Sequence, residues 1–128
     1  EKREKTDYEA ALSTLREKAQ PAEARALFQA FQARYPRSGY ADNVAYWLAE
    51  CSAAEGQWAR AIEELSKLVS ERPSAAKAPD ALLLTAEAWL KLGKSKDAED
   101  VLRRLIKSHP NSAARAAADK RLAELGAT

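Results

Sequence analysis

The sequence predicts an all-α fold, a right-handed α-solenoid of three helical hairpins closed by a C-terminal capping helix. The first observation behind it is self-similarity. Laid on itself at an offset of 37 residues, the chain aligns Ala24, Ala61 and Ala98, then Phe28, Leu65 and Leu102, then Phe31, Leu68 and Leu105, and finally Pro36, Pro73 and Pro110. A period of this size marks stacked units, because one helix pair cannot bury its apolar face without neighbours. The second is composition: alanine, leucine, glutamate, lysine and arginine dominate, and β-branched residues are few. The dominant residues lose little side-chain freedom in a helix, whereas a sheet needs the scarce ones. The third is spacing, since apolar residues recur at i, i+3, i+4 and i+7, one face of a 3.6-residue period. With 128 residues, 46% of them apolar, the chain can build the core of one domain.

Residues 1–7, EKREKTD, carry no apolar stripe and read as a helical lead-in or the end of a linker, with the repeat domain placed at 8–128. Repeat 1, about 8–36, begins with Tyr8, Ala11, Leu12 and Leu15 on one face. Gln20-Pro21 interrupts that helix, and Pro21 suits the first position of the next, where its missing N–H is no loss. The second helix is expected to bury Ala24, Leu27, Phe28, Phe31 and Tyr35. Repeat 2, about 38–73, is read as capped by Ser38, with Ala41, Val44, Ala45, Leu48, Ala49 and Ser52 inward. Gly56 turns in the left-handed conformation, and Trp58, Ala61, Ile62, Leu65, Leu68 and Val69 line the partner helix. Repeat 3, about 74–110, repeats the plan: Ser74 caps, Ala78, Ala81, Leu82, Thr85, Ala86 and Trp89 face inward, and Gly93 turns. Ser95 caps the partner helix, whose core positions are Ala98, Val101, Leu102, Leu105 and Ile106. A capping helix at about 112–125, started by Ser112, offers Ala116, Leu122 and Leu125 to cover the end of the stack.

Several function classes fall away on composition. The 21 basic and 19 acidic residues give a charge of +2 and alternate along every segment, so no basic stripe exists to neutralise phosphates and nucleic-acid binding is not expected. No apolar run is long enough for a membrane span. A single cysteine, Cys51, forbids an internal disulfide and reads as a small buried hydrophobe. The only histidine, His109, precedes Pro110 where the other units carry Tyr35 and Arg72, which points to a helix end and not an acid–base site. No cluster has metal-ligand spacing, and neither a phosphate loop nor a nucleophile elbow occurs, so no catalytic residue, cofactor or metal site is expected. The absence of methionine, even at position 1, suggests a processed product or an excised piece.

With a small residue at the eighth place of a unit (Ala49, Ala86), glycine at the inter-helix turn (Gly56, Gly93), alanine at the twentieth (Ala24, Ala61, Ala98) and proline at the end, the units resemble tetratricopeptide repeats. The longer unit, with YPRSGYADNVAYWLAE at 35–50, RPSAAKAPDALL at 72–83 and HPNSAARAAADKRL at 109–122, resembles the C-terminal domain of the Tol-Pal-associated cell division coordinator family. That resemblance implies a periplasmic, non-catalytic adaptor linking outer-membrane constriction to peptidoglycan synthesis. It further implies a TolA-like envelope partner and trimerisation through an N-terminal coiled coil that this chain lacks. Ala49 stands where the family has glycine. Outer-membrane assembly lipoproteins and pilus pilotins carry similar long repeats, and a self-assembling module exposing positions such as Trp47 is a further alternative, as is an accessory module of an enzyme.

In stacked hairpins the first helices line the concave side. Counting from Ala49 and Ala86 places Asn43, Tyr46, Glu50 and Ala53, then Asp80, Leu83, Glu87 and Leu90, toward a groove. Glu50, Glu87 and Glu124 recur at the repeat interval, either as acidic rungs for a partner rich in lysine or arginine or as carboxylates paired within the chain. Tyr46 and Leu83 would be its apolar anchors. Tyr46 and Glu50 occupy the places where some tetratricopeptide domains use asparagine and lysine to hold a terminal carboxylate, so capture of a chaperone tail is disfavoured.

Overall fold

In the computed structural model, which describes residues 2–126, seven helices follow one another: α1 (Lys2–Arg16), α2 (Pro21–Arg34), α3 (Ala41–Ala54), α4 (Trp58–Glu71), α5 (Ala78–Lys91), α6 (Ser95–Ser108) and α7 (Ala114–Glu124). There is no strand among the described residues, and no helix there is long and apolar enough to cross a membrane. Each helix packs on the next, giving the hairpins α1/α2, α3/α4 and α5/α6, with α7 lying against both α6 and α5. This is a tetratricopeptide-like solenoid. Glu1 of the charged lead-in and residues 127–128 of the expected domain lie outside the described residues.

The repeat register is visible in the core. Ala24, Ala61 and Ala98 have no exposed surface, nor do Phe28, Leu65 and Leu102, while Phe31, Leu68 and Leu105 are buried one turn further on. Each alanine lies where two helices approach, and each larger residue fills the space the approach leaves. Ala49 and Ala86 are likewise fully buried on the first helices. Several expected core positions, among them Leu12, Ile62, Trp89 and Ile106, are half-buried, and two are exposed. Leu27 on α2 is 42% exposed, and Ala116 faces solvent while Ala114, Ala118 and Leu122 carry the buried face of α7.

Gly56 and Gly93 turn the chain with φ of 75° and 76°, a left-handed conformation that costs glycine little. In both turns the following N–H reaches back to close the helix end, from Gln57 to the Ser52 carbonyl and from Lys94 to the Trp89 carbonyl, each at 2.9 Å. The first hairpin has Ala19 in the equivalent place at φ 53°. The serines expected as helix caps do not cap. α3 and α5 begin at Ala41 and Ala78, three or more residues after Ser38 and Ser74, and Ser95 already lies inside α6. Ser38 Oγ instead accepts the Tyr40 N–H at 2.9 Å, and Ser112 Oγ donates to the His109 carbonyl at 2.9 Å. Both hydroxyls stabilise the turn before the helix, a competing use of serine next to backbone groups.

The charged segment at 2–7 forms the first turns of α1 and is tied to the loop before α3. Tyr35 donates its hydroxyl to Asp7 Oδ2 at 2.7 Å, and Ser38 donates to Glu4 Oε2 at 2.6 Å. Tyr40 stacks on Tyr8 with ring centres 4.2 Å apart. The tyrosines and serine of the Tyr-Pro-Arg-Ser-Gly-Tyr stretch thus fasten the second hairpin to the first.

Candidate protein-docking groove

The residues expected to line a groove lie on the first helices of the second and third hairpins, and α7 follows in the same register. On α3, Tyr46 is 8% exposed and packs edge-on against Trp47, with ring centres 5.1 Å apart. One turn later Glu50, half-buried, accepts a long hydrogen bond from the Tyr46 hydroxyl at 3.5 Å. Asn43 is half-buried and Ala53 buried on the same helix. On α5, Asp80, Leu83, Glu87 and Leu90 are all half-buried.

Two cations that the spacing argument did not single out complete the α3 part. Lys77, just before α5, sets its ammonium over both Tyr46 and Trp47, 5.1 and 4.7 Å from the ring centres, and lies 3.9 Å from Asp80. Arg16, at the end of α1, lies over Trp47 at 5.4 Å. A cation above an aromatic face is drawn by the ring quadrupole, so both are held on the rings. Burial pushes the Tyr46 phenol well above its ordinary value, with the Glu50 and Asp80 charges adding to the effect. Burial also raises the Glu50 carboxyl, while the Tyr46 hydrogen bond and the Arg16 and Lys77 charges act against the rise.

The three glutamates of the ladder do not share one fate. Glu87 is gripped by Arg121 of α7, with Nε to Oε1 at 2.9 Å and Nη2 to Oε2 at 3.2 Å, and Arg121 Nη1 also reaches Glu124 at 3.2 Å. For Glu87 and Glu124 the reading as carboxylates paired within the chain therefore holds. Glu50 is left without an ion pair among the described residues. Spacing of apolar residues says nothing of Arg121; its role appears when α7 is seen to continue the register of the first helices.

Trp47 is only 6% exposed, donates its indole N–H to the Tyr8 hydroxyl, and is not open to another copy of the chain as the self-assembly alternative required. A second network between the hairpins was also not foreseen. Arg25 Nη2 donates to Ser52 Oγ at 3.1 Å and to Glu55 at 2.7 Å, and Ser52 in turn donates to Glu64 at 2.6 Å. Outside the groove, a cleft of about 330 Å³ opens between α2 and α4 over α3, floored by Ala45, Leu48 and Leu68 and crossed by the Asp42–Arg72 pair at 3.9 Å. It contains none of the groove residues. Extended and helical segments dock in shallow grooves as readily as small molecules enter clefts, so cavity size does not decide between the two faces for a protein partner. Among the described residues no group of three or more His, Cys, Asp and Glu is placed to hold a metal ion.

A family model described as anaphase-promoting complex, cyclosome, subunit 3 matches residues 24–105, and a tetratricopeptide-repeat model matches residues 8–38. The chain superposes with a TM-score of 0.71 on a crystal structure of a Podosopora anserina protein described as a kinesin light chain with nearly identical tetratricopeptide-like repeats. Identity is 19%, and the match covers 95% of this chain and 64% of that one, so this chain spans less than two thirds of its length. No curated protein sequence matches the chain.

Proposed function

Because this chain belongs to the tetratricopeptide-type repeat family described as anaphase-promoting complex, cyclosome, subunit 3, we propose that it is an adaptor domain that docks a protein partner in the groove of its first helices. The family's name refers to a complex, and what carries over from it here is the repeat architecture. Tetratricopeptide repeats are protein-interaction scaffolds, and this chain is one. The observation that supports the groove over other faces is the combination on α3 and α5: half-buried aliphatic side chains of Leu83 and Leu90 on the helix that follows the carboxylate of Glu50, which makes no ion pair among the described residues. Apolar anchors give contact area and a charge gives register, the division of labour found at hot spots.

The process we propose for it is coordination in the bacterial cell envelope, in the periplasm, with a TolA-like protein as partner. Support comes from the 37-residue unit and the Tyr-Pro-Arg-Ser-Gly-Tyr lead, which resemble the Tol-Pal-associated division coordinators. Titration calorimetry of the domain against the periplasmic part of a TolA-like protein tests both parts. Binding that disappears in Leu83→Arg/Leu90→Arg, with the helical melt unchanged, supports the groove and the partner. Binding that survives in that variant rules out the groove, and no binding by the unaltered domain rules out this partner.

A further inference from the structure

The register of the repeats makes Glu87 a reference for Glu50. Each is the same place in its unit, and each stands on a first helix facing the first helix that follows. For Glu87 the following helix, α7, presents Arg121, which takes both carboxylate oxygens. Counting 37 residues back from Arg121 gives Leu84. The helix that follows Glu50 therefore offers a half-buried leucine where a guanidinium stands one unit later.

The backbone differs in the same sense. α7 lies close against α5, whereas α5 does not approach α3 to that degree. The position that Arg121 takes toward Glu87 is thus held by an apolar side chain on the helix that follows Glu50. The Tyr46 hydroxyl bonds Glu50 from the same helix, Leu83 and Leu84 are half-buried on α5, and the charged groups around Glu50 are Arg16, Lys77 and Asp80. Arg16 and Lys77 are committed to the face of Trp47 and, for Lys77, to Tyr46 and Asp80. They favour the ionised carboxylate from a distance without bonding to the Glu50 oxygens. A planar guanidinium suits this place better than an ammonium. It can pair with both carboxylate oxygens, as Arg121 does with Glu87, and it gives up its hydration more readily.

Resting on the groove reading above, we propose that Glu50 receives an arginine side chain of the partner protein, which enters between α3 and α5 and makes with Glu50 the two-bond pair that Arg121 makes with Glu87. The chain carries its own copy of the contact at one end and leaves the other for the partner.

Short synthetic peptides of random sequence, arrayed and probed with the unaltered domain, Glu50→Gln and Leu84→Arg, test this. The unaltered domain should select peptides containing arginine, and exchanging that arginine for lysine should weaken binding roughly tenfold, the loss expected for one charged hydrogen-bonded pair. Glu50→Gln should lose the same peptides by a similar factor. Leu84→Arg, if folded by its helical melt, should lose them too, because the guanidinium is then supplied from within. Equal selection by Glu50→Gln and the unaltered domain, or selection without arginine, overturns the arginine assignment. Leu83→Arg/Leu90→Arg separates the two levels: peptides lost there but kept by Glu50→Gln sink only the arginine proposal, and peptides kept by both sink the groove as well.

Discussion

Trp47 donates its indole N–H to the Tyr8 hydroxyl across 2.8 Å, and both side chains are buried, so one hydrogen bond joins the first helix of the first hairpin to the first helix of the second. Tyr8→Phe keeps the ring stacked on Tyr40 and touching Phe28 and Phe31 but leaves the indole N–H without an acceptor. A buried donor left unpaired costs about 1–3 kcal/mol. The midpoint of chemical denaturation should fall accordingly. Adding Trp47→Phe should cost less in the Tyr8→Phe background than in the unaltered chain, and strict additivity would show that the bond contributes nothing.

Ala19 occupies, at φ 53°, the turn position held by Gly56 at 75° and Gly93 at 76° in the later hairpins. A side chain in the left-handed region costs roughly 1–2 kcal/mol, part of which glycine returns as extra freedom in the unfolded chain. Ala19→Gly should therefore stabilise by up to about 1 kcal/mol and Gly56→Ala should destabilise by a similar amount. A Cβ at Gly56 would meet nothing within 4 Å, so the loss in that variant reports backbone strain alone. Thermal melts of the two variants moving in the same direction would contradict the pairing.

Ala61 has no exposed surface and lies in the tight register shared with Ala24 and Ala98. Ala61→Leu adds atoms where the helices already touch, and overpacking of this kind costs about 1–3 kcal/mol. An unchanged melting temperature would mean that α3, α4 and their neighbours separate more easily than the packing implies.

Cys51 is fully buried, and burial pushes its thiol up to about 11, with the Glu55, Glu64 and Glu50 charges adding to the effect and Arg25 opposing it. The thiolate is the reactive form, and it is scarce at neutral pH in such a place. Alkylation of the folded protein at pH 8 should be slow and should reach the rate of a free thiol only in denaturant. Rapid labelling without denaturant would show local opening of α3.

Most of the fold was legible because its cause is periodic. Alanine at 24, 61 and 98 and the large residues four and seven places later force the same packing each time, and the buried set follows it. The misses lie where the period ends or a local bond intervenes. Leu27 on α2 and Ala116 on α7 are exposed, although apolar spacing alone placed both inward. Ser38 and Ser112 bond within the preceding turn, which residue type alone does not distinguish from a cap. The places of Tyr46, Glu50, Leu83 and Glu87 on the first helices followed from counting, although Tyr46 is buried there. Lys77 over Tyr46 and Trp47, and Arg121 on Glu87, did not, because long cationic side chains reach across helices to partners that sequence spacing does not fix.

Glu50 gives the last prediction, and its sign follows from burial. Its carboxyl is raised above the ordinary value of 4.5, so the folded state holds this proton more firmly than the unfolded state does. Stability from this group is therefore complete below the unfolded value and is lost as pH rises through the folded one. At neutral pH the ionised Glu50 is a burden that Glu50→Gln removes while retaining the shape and a hydrogen-bond acceptor for Tyr46. Glu50→Gln should melt higher than the unaltered chain at pH 7, and the difference should shrink as pH falls below 4.5. A difference independent of pH would show that the carboxylate is as well solvated as on the surface. The same substitution is expected to weaken docking, so stability and binding should move in opposite directions, as they do where a charge is kept desolvated for a partner to neutralise.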